Sequence, residues 1–199
     1  IVSGQVFFAG SDMLKLKEED LRKIRGAQIS YIFQEPQASL NPVLTIGSQI
    51  IEVIRLHKID KRISSKDETL RLLKLVRIPR PEAIFNSYPH QLSGGMNQRA
   101  MIAIALASQP KLLIADEPTT ALDVTIEAEI LGLILELKRQ FAFSVLLITH
   151  NLNIVERIAD RVAIMYRGRI VEFNVTREIF DRPKNDYTKR LADSILRLS

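Results

Sequence analysis

The chain has 199 residues, 46% of them hydrophobic and 26% charged, with a formal net charge of +5 and no cysteine. This is the profile of a globular protein of one domain, or of one domain with a subdomain. Disulfides, zinc ribbons, iron–sulfur ligation and thiol catalysis are excluded for these residues, and no stretch approaches the ~18 apolar residues that span a bilayer. Lys and Arg are scattered rather than blocked, so the basic surplus reads as a solvated surface more readily than as a nucleic-acid site.

In chain order, Gln5 to Ala9 reads as a strand and Gly10-Ser11-Asp12 as a turn. Leu14 to Arg25 reads as a short charged helix closed by Gly26. Gln28 to Phe33 alternates β-branched and aromatic residues as a second strand does, and Gln34-Glu35-Pro36 stops it, because proline cannot continue a central strand. Three helices are then expected. Ile46, Gln49, Ile50, Val53, Ile54 and His57 share one helical face. Ser65-Lys66-Asp67-Glu68 reads as a capping box for a helix that Pro79 and Pro81 end. The third runs from Ser93 through Ala107 with an apolar stripe of Met96, Ala100, Ile104 and Ala107.

Residues from about Pro36 to Ala107 therefore form a helical insertion between strands. Alternation resumes with a strand at Lys111, a helix from about Val124 to Gln140, a strand from Ser144 to Thr149 and a helix from about Asn151 to Ile158. Val162 to Tyr166 and Ile170 to Phe173 read as a hairpin, and Thr176 to Asp181 and Tyr187 to Leu198 as closing helices. Strand–helix–strand order implies an α/β fold with a parallel sheet and right-handed crossovers.

Two stretches carry chemistry. Lys111 to Glu117 is an apolar strand ending in two carboxylates, where open α/β sheets place ligands. Asp116 there suits a magnesium ion and Glu117 an attacking water; taken alone, the run is equally a buried strand with a polar end. Leu92-Ser93-Gly94-Gly95-Met96 sets two glycines behind a serine N-cap, exposing N–H groups and a helix dipole that suit a phosphate. Taken alone, Ser-Gly-Gly reads more readily as a capped helix with a flexible entry.

Together these stretches resemble the ATP-binding-cassette ATPases. Leu92 to Met96 is similar to their signature, Lys111 to Glu117 to the Walker B, Gln34 to the Q-loop glutamine, Ala121-Leu122-Asp123 to the D-loop and His150 to the switch histidine. Arg25-Gly26, Ile32 to Pro36, Ser39 to Pro42, Tyr88 to Gln91 and Tyr187-Thr188 resemble the branch that imports oligopeptides, dipeptides and nickel, with peptide-uptake ATPases, including tandem-cassette ones, the nearest match.

The resemblance implies a P-loop NTPase fold with a RecA-like parallel sheet, residues 1–35 and 108–175, a helical signature subdomain, 36–107, and C-terminal helices, 176–199. It implies ATP and Mg2+ as cofactors. Glu117 is the expected general base, Asp116 the magnesium carboxylate, and Gln34 the sensor of magnesium and water. His150 would stabilise charge at the γ-phosphate. Ser93, Gly94 and Gly95 would meet the nucleotide of a second, identical or different cassette, with Asp123 at that interface. Expected partners are permease subunits, whose coupling helix the helical insertion receives, and indirectly a periplasmic or extracellular substrate-binding protein; no nucleic acid is expected. The implied location is the cytoplasmic face of the bacterial inner membrane.

Departures are specific. Met96 replaces the commonest glutamine of the signature, Asn151 follows His150 where an acid is frequent, and Asn185-Asp186 precedes Tyr187 where His-Pro is frequent. No Gly-x-x-x-x-Gly-Lys-Ser/Thr occurs in the sequence, which the family places upstream of Ile1. The expectation is an N-terminally truncated chain whose sheet lacks the strand between those at Ser144 and Val162, and which alone is poorly soluble and binds ATP weakly or not at all. An inactive cassette pairing with an intact paralogue, or a soluble cassette ATPase outside transport, are the alternatives.

Overall fold

The computed structural model describes residues 4–57, 64–120 and 122–196. Two compact units divide the chain, Ile1–Ile148 and Thr149–Ser199.

At the centre of the first unit is a three-stranded parallel sheet in the order β3 (Ile29–Ile32), β4 (Leu112–Asp116), β5 (Ser144–Ile148). The register sets Tyr31 beside Ile114 and Asp116 beside Ile148. Strand geometry sends alternate side chains to opposite faces. Ile32, Leu113 and Ala115 are fully buried on one face, while Tyr31, Ile114 and Asp116 on the other are half-buried, and Leu146 and Ile148 on that face are exposed. The β4 strand is thus buried on one side rather than on both.

Ahead of the sheet, β1 (Phe7–Phe8) and β2 (Ser11–Asp12) form a short hairpin whose turn residues Ala9 and Gly10 both have positive φ. The charged segment splits. Met13–Lys15 is a single 3-10 turn capped by Asp12, and α1 (Glu18–Ile24) begins only after extended Lys17. Its acids lie in the first turn and Arg22 and Lys23 in the last, matched to the helix dipole. Gly26 closes it at φ +73°.

The insertion is helical as expected, with α2 (Pro36–Ser39), α3 (Ile46–Leu56), α4 (Ser65–Leu75), α5 (Pro81–Phe85) and α6 (Gly94–Leu106), and a 3-10 turn at Pro89–Gln91. Ile46, Ile50 and Ile54 bury the predicted face of α3, and Gln49 on that face bonds Asn41 and Leu44, tying the preceding loop to the helix. The capping box at Ser65 is not formed. Ser64 takes the cap position and accepts from Lys66 N, which shifts the helix frame by one residue, and Glu68 pairs with Arg71 instead. Adjacent serines compete for one cap, and the sequence pattern alone does not say which wins.

Helix α6 is buried nearly all round rather than along one stripe. Asn97, Gln98, Ala100, Met101, Ile102, Ala103, Ala105 and Leu106 are buried, while Met96 and Ile104 of the predicted stripe are only partly so. It packs against β3, α2, α3, α4 and α7 (Val124–Phe141), and a helix surrounded by others needs apolar residues on every side. Ile130, Leu133, Ile134 and Leu137 of α7 complete this core.

In the second unit, β6 (Arg161–Tyr166) and β7 (Arg169–Val175) form the predicted antiparallel hairpin through Arg167 and Gly168, both at positive φ. Helices α8 (Leu152–Ile158), α9 (Thr176–Asp181) and α10 (Asp186–Leu196) accompany it. Val162, Ile164 and Ile179 form its small core, with Leu152, Val155, Phe180 and Tyr187 against them. Among the described residues no helix is long and apolar enough to cross a membrane.

Candidate functional site

The C-terminal end of β4 gathers the polar residues. The Glu117 N–H donates to the Ile148 carbonyl at 2.9 Å, carrying the β4–β5 pairing one residue past the strand. Its φ of +43° then turns the chain sharply. A glutamate seldom adopts this left-handed conformation, and such strain persists only where surrounding contacts hold it. Here two donors converge on Glu117 Oε2, Gln34 Nε2 at 2.8 Å and Thr120 Oγ1 at 2.9 Å. Pro118 and Thr119 beyond it are buried, and Thr119 Oγ1 donates to Glu127 Oε1 at 2.6 Å, anchoring the turn to the first turn of α7.

Asp116 lies one residue earlier, half-buried on the more open face of the sheet. Tyr31 Oη donates to its Oδ2 at 2.6 Å. That hydrogen bond, with desolvation and the carboxylate's charge, raises the phenol above its ordinary pKa, so Tyr31 is a protonated donor at neutral pH.

The donors around β4 are all hard oxygens and amides: two carboxylates, the Tyr31 and Thr120 hydroxyls and the Gln34 amide. That chemistry fits magnesium, which is held by one or two carboxylates and completes its octahedron with water and phosphate oxygens. Among the described residues no group of three or more acidic, histidine or cysteine side chains is placed to hold a metal ion.

Ser93 caps α6, its Oγ accepting from Met96 N at 3.3 Å. A Cβ at position 95 would lie 3.1 Å from Ile126 Cγ2, and one at 94 would lie 3.6 Å from Leu122 Cδ2. Glycine at 95 therefore lets the start of α6 approach α7 closely. Ser93 and Gly94 remain exposed, so the unpaired N–H groups of this helix end are available to an anion such as a nucleotide phosphate. Asp123 is exposed and caps α7 through Ile126 N at 2.9 Å. Ala121 of the Ala121-Leu122-Asp123 motif lies outside the described residues.

Gln34, Asp116 and Glu117 are thus brought together at one strand end, and Ser93, Gly94 and Gly95 are set beside Leu122 and Ile126. His150 belongs to the second unit, exposed in the bend that precedes α8. Tyr31 and Thr120 were missed in the sequence. The signal for Tyr31 was strand alternation, which puts it on the Asp116 face; that for Thr120 was its three-residue spacing from Glu117.

The family profile described as ABC transporter matches residues 2–120. The dipeptide transport ATP-binding protein DppD of Haemophilus influenzae is 51% identical over 188 residues, 94% of this chain and 57% of that protein. The oligopeptide transport ATP-binding protein OppD of Bacillus subtilis is 48% identical over 192 residues, 96% of this chain and 54% of that protein. The chain therefore spans a little over half the length of these curated relatives. A solved dimeric structure of the ATP-binding cassette MJ0796, in a post-hydrolysis state bound to ADP and Pi, superposes with a TM-score of 0.76 at 29% identity, covering 88% of this chain and 74% of that one. By this profile, these relatives and this solved cassette, the chain belongs to the ABC transporter family, with the fold of its ATPase cassettes.

Proposed function

We propose that this chain is the ATP-binding and ATP-hydrolysing part of a bacterial importer for peptides. The observation that carries the reading is the hydrogen bond from Gln34 to Glu117 at 2.8 Å, which joins the entry to the helical insertion with the carboxylate at the end of β4. The dipeptide and oligopeptide relatives supply the substrate class.

In this reading Glu117 accepts the proton of the attacking water, held by the rigid strand behind it. Gln34 can donate and accept at once, so it orients that water and passes the state of the site to the insertion. Asp116 is the residue that would hold magnesium. When bound, magnesium neutralises charge on the β- and γ-phosphates. His150 stabilises charge at the γ-phosphate. Ser93, Gly94 and Gly95 offer their N–H groups to a nucleotide bound by a second cassette, and Asp123 faces that interface.

The helical insertion receives the permease. A pocket of about 240 Å³ lined by Tyr31, Phe33, Leu40, Val53, Met101 and Ile104 lies between β3 and that insertion, and a short apolar helix is the kind of element it fits. The assembly operates at the cytoplasmic face of the inner membrane, supplied by a substrate-binding protein.

The test is Glu117→Gln in a version carrying a relative's Gly-rich phosphate loop ahead of residue 1. Steady-state ATP hydrolysis should fall roughly 10²–10⁴-fold. Hydrolysis at the parental rate would remove Glu117 from its role.

A further inference from the structure

The magnesium carboxylate assigned above does not stand alone. Tyr31 reaches Asp116 from a neighbouring strand, 85 residues away in sequence, because parallel pairing sets Tyr31 beside Ile114, one alternation from Asp116 on the same face. The 2.6 Å contact is in the range of a charge-assisted O–H···O⁻ bond, roughly twice as strong as a neutral one. Its ring also packs against the Phe33 ring, with centroids 4.5 Å apart.

We propose that Tyr31 is a positioning residue for divalent-metal binding. Its hydroxyl holds Asp116 Oδ2, so that Oδ1 is the oxygen that would serve the ion. The inference rests on the reading of Asp116 as the magnesium carboxylate. The underlying reason is general: a carboxylate with two equivalent oxygens rotates unless one is tied, and partners that tie metal-binding side chains are commonly worth roughly tenfold or more in affinity. Tyrosine suits this better than serine or threonine because its reach spans the gap between adjacent strands. Phenylalanine at this position would keep the packing against Phe33 and lose only the hydroxyl.

The experiment uses the version carrying the Gly-rich phosphate loop, with aspartate labelled with carbon-13 at Cγ and the Asp116 signal assigned through Asp116→Asn. Tyr31→Phe is compared with the parent, first without metal and then with Mn2+·ATP as a paramagnetic probe. The expected result is that the Asp116 signal alone moves in metal-free Tyr31→Phe, and that half-broadening of this signal needs roughly tenfold more Mn2+·ATP than in the parent. Equal thermal midpoints for the two proteins would separate this from a folding defect. An unmoved Asp116 signal would overturn the hydrogen bond, and a moved signal with unchanged broadening would overturn the positioning role. If Mn2+·ATP broadens Asp116 in neither protein, the metal assignment of Asp116 itself is wrong, and the proposal goes with it.

Discussion

Gln34 Nε2 and Thr120 Oγ1 donate to the same oxygen of Glu117, so the carboxylate is held at once from the loop that leads into the helical insertion and from its own turn. Two donors sharing one acceptor do not act independently. Gln34→Ala and Thr120→Val should each lower ATP hydrolysis in the loop-supplied protein by roughly three- to tenfold, the scale of one hydrogen bond. The double variant should lose clearly less than the product of the two, while Thr120→Ser should retain the parental rate. Strict multiplicativity in the measured rates would show that the two contacts are unrelated.

Gly47 is buried in α3 against α5, where an added Cβ would lie 2.5 Å from Phe85 Cδ2 and 2.6 Å from the Phe85 carbonyl oxygen. A side-chain ring could rotate, but the backbone carbonyl cannot yield cheaply. Gly47→Ala should destabilise by about 3 kcal/mol despite the better helix propensity of alanine. Urea unfolding followed by far-ultraviolet circular dichroism measures it, and a shift below about 1 kcal/mol would contradict the packing of α3 on α5.

Asp123 caps α7, and Asp123→Ala removes that acceptor from Ile126 N. The expected loss is about 1 kcal/mol of stability, with Asp123→Asn within a few tenths of the parent. If Asn behaves like Ala in the same unfolding assay, the cap is not what the side chain supplies.

Glu172 of β7 is buried enough to oppose its ionisation, yet the backbone N–H groups of Lys184 and Asn185, at 2.9 and 3.0 Å, and the Lys184 charge outweigh this. Its carboxyl is therefore held below the ordinary 4.5. A depressed folded pKa gives stability that is complete above the unfolded value and is lost as pH falls below it through the folded value. The stacked Tyr166–Tyr187 pair, with centroids 4.2 Å apart in the same unit, provides the probe. Near-ultraviolet circular dichroism of the parent should decline below pH 4.5, and Glu172→Gln should flatten that decline. An identical acid profile in both proteins would exclude Glu172 as its source.

Much of the fold was legible because its signals are local. Period-two alternation located β3, a short apolar run located β4, and glycine closed α1 at Gly26. The serine at 93 marked the start of α6, where the structure places its cap. Other features depend on competition or surroundings. The shift of the cap from Ser65 to Ser64, the split of the charged segment before Glu18, and the all-round burial of α6 are each decided by neighbours that no short window contains. Helix periodicity reports an apolar stripe; it does not report how many partners will surround it.

The site divides in the same way. The residue types and order of the proposed site, Gln34, the Ser93-Gly94-Gly95 start, Asp116-Glu117, Asp123 and His150, are legible in the sequence itself, because each stands at a predicted strand or helix end. What only the tertiary structure decided is which groups hold the two carboxylates. The Tyr31 hydroxyl on Asp116 and the Gln34 amide on Glu117 span 85 and 83 residues, and parallel strand register, a non-local property, brings them within hydrogen-bonding distance.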